Sequence, residues 1–100
     1  MALPDPPLNP AQGAPSHALG TALRDALRGA GFPDSDYRGH EGLDPRSDLA
    51  GLNHSTRPIA LVECANMRNP DEAALVSSPE GRQRYADALA AGVLTYLATT

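Results

Sequence analysis

The residue best placed to do chemistry in this sequence is Glu63, which closes the run Pro58-Ile59-Ala60-Leu61-Val62-Glu63. Four consecutive apolar residues, including the β-branched Ile59 and Val62, follow a proline that can open a strand. A strand without polar alternation is the kind buried on both faces, as in a parallel sheet. Open α/β sheets hold their sites at the C-terminal ends of such strands, and Glu63 stands at that end. Apolar surroundings there favour a neutral carboxylic acid, which suits a group that takes and returns a proton. The plainer alternative is a strand-end glutamate that meets solvent or an arginine.

Other reactive side chains gather less convincingly. Arg46 and Asn53 precede the strand and are candidates to line the crevice at its end; a structural arginine and an Asx turn are the alternatives. Cys64 follows Glu63 directly, so on a continuing strand its side chain points to the opposite face, and it reads as a small buried core residue. His17, His40 and His54 are widely scattered and form no HxxH or HExxH spacing, so they read as surface histidines rather than metal ligands. Gly39-His40-Glu41-Gly42 reads as a turn and carries no phosphate-loop pattern.

The elements that must position Glu63 follow from capping and periodicity. Residues 1–15 hold five prolines (Pro4, Pro6, Pro7, Pro10, Pro15) and read as a Pro-rich extended segment. Ser16 reads as the N-cap of a helix with Leu19, Leu23 and Leu27 on one stripe, stopped by Gly29, Gly31 and Pro33. Turn residues dominate from there to Thr56, with short strands expected near 37–40 and within 46–53. After the strand, Asn69-Pro70-Asp71-Glu72 combines an N-cap, a first-position proline and an acid at the third position. Ser78-Pro79-Glu80 repeats the device and opens the longest helix, to about Ala98. A lone central strand needs neighbours on both edges, and the sequence supplies few.

Composition narrows the class. Of 100 residues 41% are hydrophobic, but 17 of them are alanine, and Leu, Ile, Val and Phe total only 18, with no Trp. That is just under the one-fifth level at which chains struggle to fold alone, so the chain is a thin-cored domain or part of a larger one. Eight Arg, no Lys and twelve acids give a net charge of −4, which excludes the basic footprint of a nucleic-acid binder. Phe32, Tyr37, Tyr85 and Tyr96 are too scattered to stack bases. The single Cys64 excludes an intrachain disulfide and a CxxC knuckle. No apolar run reaches the length of a membrane span, and the N-terminus lacks the basic start of a signal peptide.

Several segments, in order, resemble one known family. Arg46-Ser47-Asp48-Leu49-Ala50-Gly51-Leu52-Asn53, then residues 58–63, then Asn66-Met67-Arg68-Asn69-Pro70-Asp71-Glu72-Ala73-Ala74-Leu75, then Ser78-Pro79-Glu80-Gly81-Arg82-Gln83-Arg84-Tyr85 together look like the C-terminal half of the zinc-dependent N-acetylmuramoyl-L-alanine amidases of actinobacterial type. The resemblance implies an α/β fold: the C-terminal part of a mixed-sheet, three-layer domain, with one strong buried strand and two to three helices in this chain. Residues 16–98 would be the incomplete catalytic domain. In that family one Zn2+, held by two histidines and a glutamate, activates water to cleave the amide between N-acetylmuramic acid and L-alanine. Its Val-Glu-x-Gly motif falls on Val62-Glu63-Cys64-Ala65, which makes Glu63 the implied catalytic base.

The departures from the family pattern define the expectations. The Asp-Pro-Gly-His-Gly motif, the early helical glutamate and the Ser-x-His motif that hold zinc do not occur in this sequence, and no metal role passes to His17, His40 or His54. Ala65 replaces the motif's glycine, which crowds the backbone if the native φ is positive. The chain is therefore expected to keep the base, lack the metal site and be inactive alone, with a possible N-terminal half as partner chain. A non-catalytic interaction module and one half of a split gene product are the alternatives. Peptidoglycan as substrate and a cell-wall or extracellular location are implied by the resemblance, with no nucleic acid and no membrane span; an export signal, if any, is expected outside this chain.

Overall fold

The computed structural model describes residues 1–5, 10–32, 42–64 and 68–99. A short parallel pair, β1 (Ala2–Pro4) and β2 (Asp44–Arg46), joins four helices: α1 (Pro10–Gly29), α2 (Ala50–Asn53), α3 (Pro70–Ser77) and α4 (Pro79–Ala98). The strand expected near 37–40, His40 and Ala65 lie outside the described residues.

The N-terminal segment corrects the first expectation. Residues 2–4 are not loosely held chain: Leu3 is 1% exposed and packs its side chain onto Gly20 of α1. β1 pairs with β2 through Ala2–Asp44, Leu3–Pro45 and Pro4–Arg46. The ladder extends through the Asp44 N–H, which donates to the Met1 carbonyl at 2.9 Å, and the Asp5 N–H, which donates to that of Arg46 at 3.0 Å. This register puts Ala2, Pro4, Asp44 and Arg46 on one face and Leu3 and Pro45 on the other, toward α1.

Helix α1 begins at Pro10, six residues before the expected cap, and runs through Pro15. A proline in a helix interior costs about 3 kcal/mol, so long-range contacts must hold this turn. Gln12 Nε2 donates to the Thr56 carbonyl at 3.0 Å, and Ser16, fully buried, accepts the Ile59 N–H at 2.9 Å. Ser16 is thus not an N-cap; it ties the helix to the segment that carries Glu63. The far end behaves as read. Gly31, at φ +93°, closes α1, with the Phe32 N–H bonded to the Leu27 carbonyl and the Gly31 N–H to that of Arg28, the paired closure a left-handed glycine permits.

The helix starts at Asn69 and Ser78 also hold. Asn69 Oδ1 accepts from the Asp71 and Glu72 N–H groups at 3.0 and 3.3 Å, and Ser78 Oγ accepts from that of Gly81 at 2.9 Å. The corner between α3 and α4 is so tight that a Cβ on Gly81 would lie 1.8 Å from the Leu75 carbonyl oxygen. α4 then packs along α1. Phe32 and Tyr85 stack at 4.1 Å with Ala88 beside them, Arg84 lies over the Phe32 ring and donates to the Ala30 carbonyl, and a Cβ on Gly92 would meet Leu23 Cα at 2.9 Å.

The strongest strand signal corrects the second expectation. Residues 58–63 form no strand of the described sheet. Leu61 makes one antiparallel bridge to Ala2, both hydrogen bonds 2.9 Å, and is 46% exposed. The central position falls to β1, which has β2 on one edge and Leu61 on the other. An apolar run becomes a doubly buried strand only when layers cover both faces and neighbours pair both edges; among the described residues this run has Ala2 on one edge. The class remains mixed α/β, with four helices instead of two to three and without the strong buried strand.

Candidate functional site

Because the bridge is antiparallel, the chain through Leu61 runs against β1 and β2. Glu63, two residues on, follows an isolated bridge and does not end a strand of the parallel pair. It is solvent-exposed, as is Cys64. The buried acid and the buried core cysteine expected from the sequence are both corrected, for the same reason: the segment lacks a covering layer among the described residues. The Cys64 thiol instead lies within electrostatic reach of the Tyr85 phenol on α4. Burial, with Cys64 and Glu72 adding, pushes that phenol above its ordinary pKa, and Arg84 opposes the shift.

Arg46 ends β2, and its guanidinium is occupied within its own loop. Nε donates to Asp48 Oδ1 at 2.8 Å, Nη2 to Asp48 Oδ2 at 2.5 Å, and Nη1 lies 3.9 Å from Asp44 Oδ2 on the same sheet face. The hydrogen bonds it donates to Asp48 hold this guanidinium above its ordinary pKa; desolvation works against the shift, and the charges of Asp48, Asp44 and Glu63 reinforce it. Arg46 and Glu63 therefore share one electrostatic neighbourhood, which is the pairing of candidates that the structure achieves.

Asn53 ends α2 and faces back along the same loop. Its Nδ2 donates to the Ser47 carbonyl at 2.7 Å, while its Oδ1 is buried without a partner among the described residues. Asn53 thus clamps the stretch that carries Asp48, and Asp48 in turn holds Arg46. The Arg46–Asp48 pair was open to sequence reading, since residues two apart in an Arg-Ser-Asp turn can close such a fork. Ser16 was not, because its partner Ile59 is 43 residues away.

His17 and His54 stand apart from these residues. His17 is exposed on α1 and His54 is exposed just after α2. No group of three or more His, Cys, Asp or Glu side chains able to hold a metal occurs among the described residues.

Residues 12–95 match the N-acetylmuramoyl-L-alanine amidase family. The chain belongs to that family. It is 51% identical over 94 residues to N-acetylmuramoyl-L-alanine amidase Rv3717 of Mycobacterium tuberculosis, a match that covers 94% of this chain and 39% of the relative. The crystal structure of the amidase Ami1 from Mycobacterium smegmatis superposes with a TM-score of 0.93 at 48% identity, covering 99% of this chain and 46% of that one. The apo form of Ami1 from Mycobacterium abscessus gives 0.90 at 44% identity, covering 96% and 45%. The chain thus spans less than half the length of these relatives. The family is generally zinc-dependent, and the described residues of this chain do not fit a zinc ion. No helix among them is long and apolar enough to cross a membrane.

Proposed function

We propose that this chain is the base-bearing portion of an N-acetylmuramoyl-L-alanine amidase, with Glu63 as the group that moves the proton. The observation that carries the reading is the position of Glu63 in the matched region, on the Val-Glu pair of the family motif and exposed where water and an amide can reach it. In amide hydrolysis the water oxygen bonds to the carbonyl carbon while a carboxylate accepts its proton. Collapse of the tetrahedral species breaks the C–N bond, and the same carboxyl returns the proton to the leaving amine. The substrate on this reading is the amide between N-acetylmuramic acid and L-alanine in peptidoglycan, so the products are a free lactyl carboxylate and a free alanine amine. The setting is the cell wall or extracellular space.

Arg46, bonded to Asp48, lies within electrostatic reach of Glu63, and Arg46 and Asn53 are the residues from which substrate contacts would come. No group able to hold the family's metal occurs among the described residues, and on this reading the metal is held by polypeptide beyond them, in the same molecule or a partner. The chain alone is accordingly inactive. Purified chain given zinc and peptidoglycan should release no alanine-terminated stem peptides, and chelator-sensitive release that Glu63→Gln abolishes would refute that expectation. In a complete enzyme containing this chain, Glu63→Gln should lower kcat by about 10²–10⁴-fold, the span of a general base. A non-catalytic module is the second reading, favoured by the lack of metal-holding side chains among the described residues; unchanged kcat in the Glu63→Gln enzyme would support it.

A further inference from the structure

One row of α1 grips the chain that leads to Glu63. Gln12, Ser16 and Gly20 stand at four-residue steps, so they lie one above another on the same helix face. Gln12 Nε2 donates to the Thr56 carbonyl at 3.0 Å, and Ser16 Oγ accepts the Ile59 N–H at 2.9 Å. Gly20 receives the Leu3 side chain so closely that a Cβ there would lie 2.7 Å from Leu3 Cδ2. Leu3 belongs to β1, whose Ala2 exchanges two 2.9 Å hydrogen bonds with Leu61. The row thus fixes Thr56 and Ile59 directly and Leu61 through β1, at successive points ahead of Glu63.

This part of α1 is poorly composed for a helix. Gly13, Pro15 and Gly20 fall close together inside it, and glycine and proline are the weakest helix formers. Departures from local preference of this kind mark places where another demand is met. Gly20 meets it by admitting Leu3. Ser16 meets it with a hydroxyl on a residue that is 0% exposed. Water cannot replace that hydroxyl as the acceptor for Ile59, and no substrate can touch it.

We propose that Ser16 is a positioning residue for the amidase reaction: its hydrogen bond to Ile59 fixes the backbone that presents the Glu63 carboxylate to water. The inference rests on the reading of Glu63 as the proton-moving group and adds a residue of another element that acts through it. Gln12 supports the same segment one helical turn earlier. A general base works only within hydrogen-bond reach of the proton it takes, and a displacement of about 1 Å can cost about 100-fold in rate. Loss of the Ser16 hydroxyl leaves the Leu61–Ala2 pair in place, so the segment loosens without detaching. The effect should therefore fall on kcat, with binding of the substrate unchanged.

The test has two arms. In the chain itself, Ser16→Ala should lower the NMR backbone order parameters of Leu61, Val62 and Glu63 by about 0.1 or more, from a rigid value near about 0.85, and leave those of α4 unchanged. Unchanged order parameters at these three residues overturn the proposal. The second arm puts this chain in place of the matched region of the Mycobacterium tuberculosis amidase Rv3717 and measures release of alanine-terminated stem peptides. Ser16→Ala should lower kcat by about tenfold with KM within about twofold, and Gln12→Ala should lower it less. In the Glu63→Gln background Ser16→Ala should cause no further loss, because no base remains to be misplaced. An equal loss in both backgrounds shows a merely structural role and overturns the proposal, as does a change in KM alone. Gly31→Ala, which strains the opposite end of α1, controls for lost stability and should leave kcat unchanged. The functional reading fails separately: a grafted enzyme that is inactive, or indifferent to Glu63→Gln, counts against that reading, and the order parameters then decide the role of Ser16.

Discussion

The helical layer and the Glu63 segment are held by different means. α3 and α4 each start on one side-chain oxygen acting within three residues, and α1 ends on a single left-handed glycine. Their packing then rests on a stacked aromatic pair and a glycine contact between helices. Residues 59–61, by contrast, are tied down through a reciprocal pair of hydrogen bonds between Leu61 and Ala2 and one that the Ile59 N–H donates to Ser16, all long-range. The difference teaches that the helices are locally determined, whereas the residue proposed to do chemistry is positioned by chain far from it in sequence. Mutations should therefore separate the two regions.

The largest effect should come from the helical layer. Phe32→Ala removes the ring stacked on Tyr85 and covered by Arg84, leaving a hole among Leu27, Leu75 and Val76. Truncating a buried phenylalanine costs about 3–5 kcal/mol, read as a fall in the urea midpoint. A midpoint that barely moves would mean that the α1–α4 contact does not carry the stability of the chain.

Ser16→Ala should do the opposite: a smaller global loss with a sharp local signature. The substitution leaves the Ile59 N–H without its acceptor, at a cost of about 1–3 kcal/mol where such a group stays buried. Helical circular dichroism should hold, since alanine favours a helix, while exchange at Ile59 and Leu61 accelerates ahead of global unfolding. Uniform acceleration across α4 as well would show that the two regions unfold as one and erase the distinction.

The same division explains what could be read from sequence. Asn69, Ser78 and the Gly29–Gly31 stop were legible because capping is a matter of a few adjacent residues. Ser16 looked like those caps but is not one, because Gln12 and Ser16 are held from outside the helix and that support carries α1 back through Pro15. Residues 2–4 were illegible for a related reason: a three-residue strand shows no periodicity, and Leu3 between Ala2 and Pro4 gains its meaning only from Gly20 and β2. Glu63 was proposed from family motif and position together, and the structure corrects the environment expected for it. Its apolar neighbours in sequence implied burial, and burial depends on what covers them. Arg46 and Asn53 were singled out by their place in the chain, while their bonds to Asp48 and Ser47 emerge only from the folded loop.

A third substitution checks the local side of the comparison. Asn69→Ala deletes the oxygen that accepts from Asp71 and Glu72 and should cost about 1 kcal/mol. The loss should fray α3, where Ala73 and Leu75 exchange faster, without changing exchange at Ile59. Equal loosening of residues 59–61 would reveal coupling between α3 and the Glu63 segment that the contacts do not suggest.

The smallest effect is a titration. Tyr85 has its phenol pushed above the ordinary value, chiefly by burial, so the folded state holds this proton more tightly than the unfolded chain, whose tyrosines titrate near about 10. The sign follows: the contribution is fully present below that unfolded value and is lost as pH rises through the folded one. Wild type should therefore lose stability above about pH 10 more steeply than Tyr85→Phe, which keeps the ring on Phe32 but has no proton to lose. Near neutral pH the two should differ by about 0.5 kcal/mol or less. Every other side chain is common to both proteins, so the difference between their urea midpoints across pH isolates Tyr85. Parallel curves would mean that the phenol is no better shielded when folded than when unfolded, and that the cluster joining α4 to the neighbourhood of Cys64 is open to water.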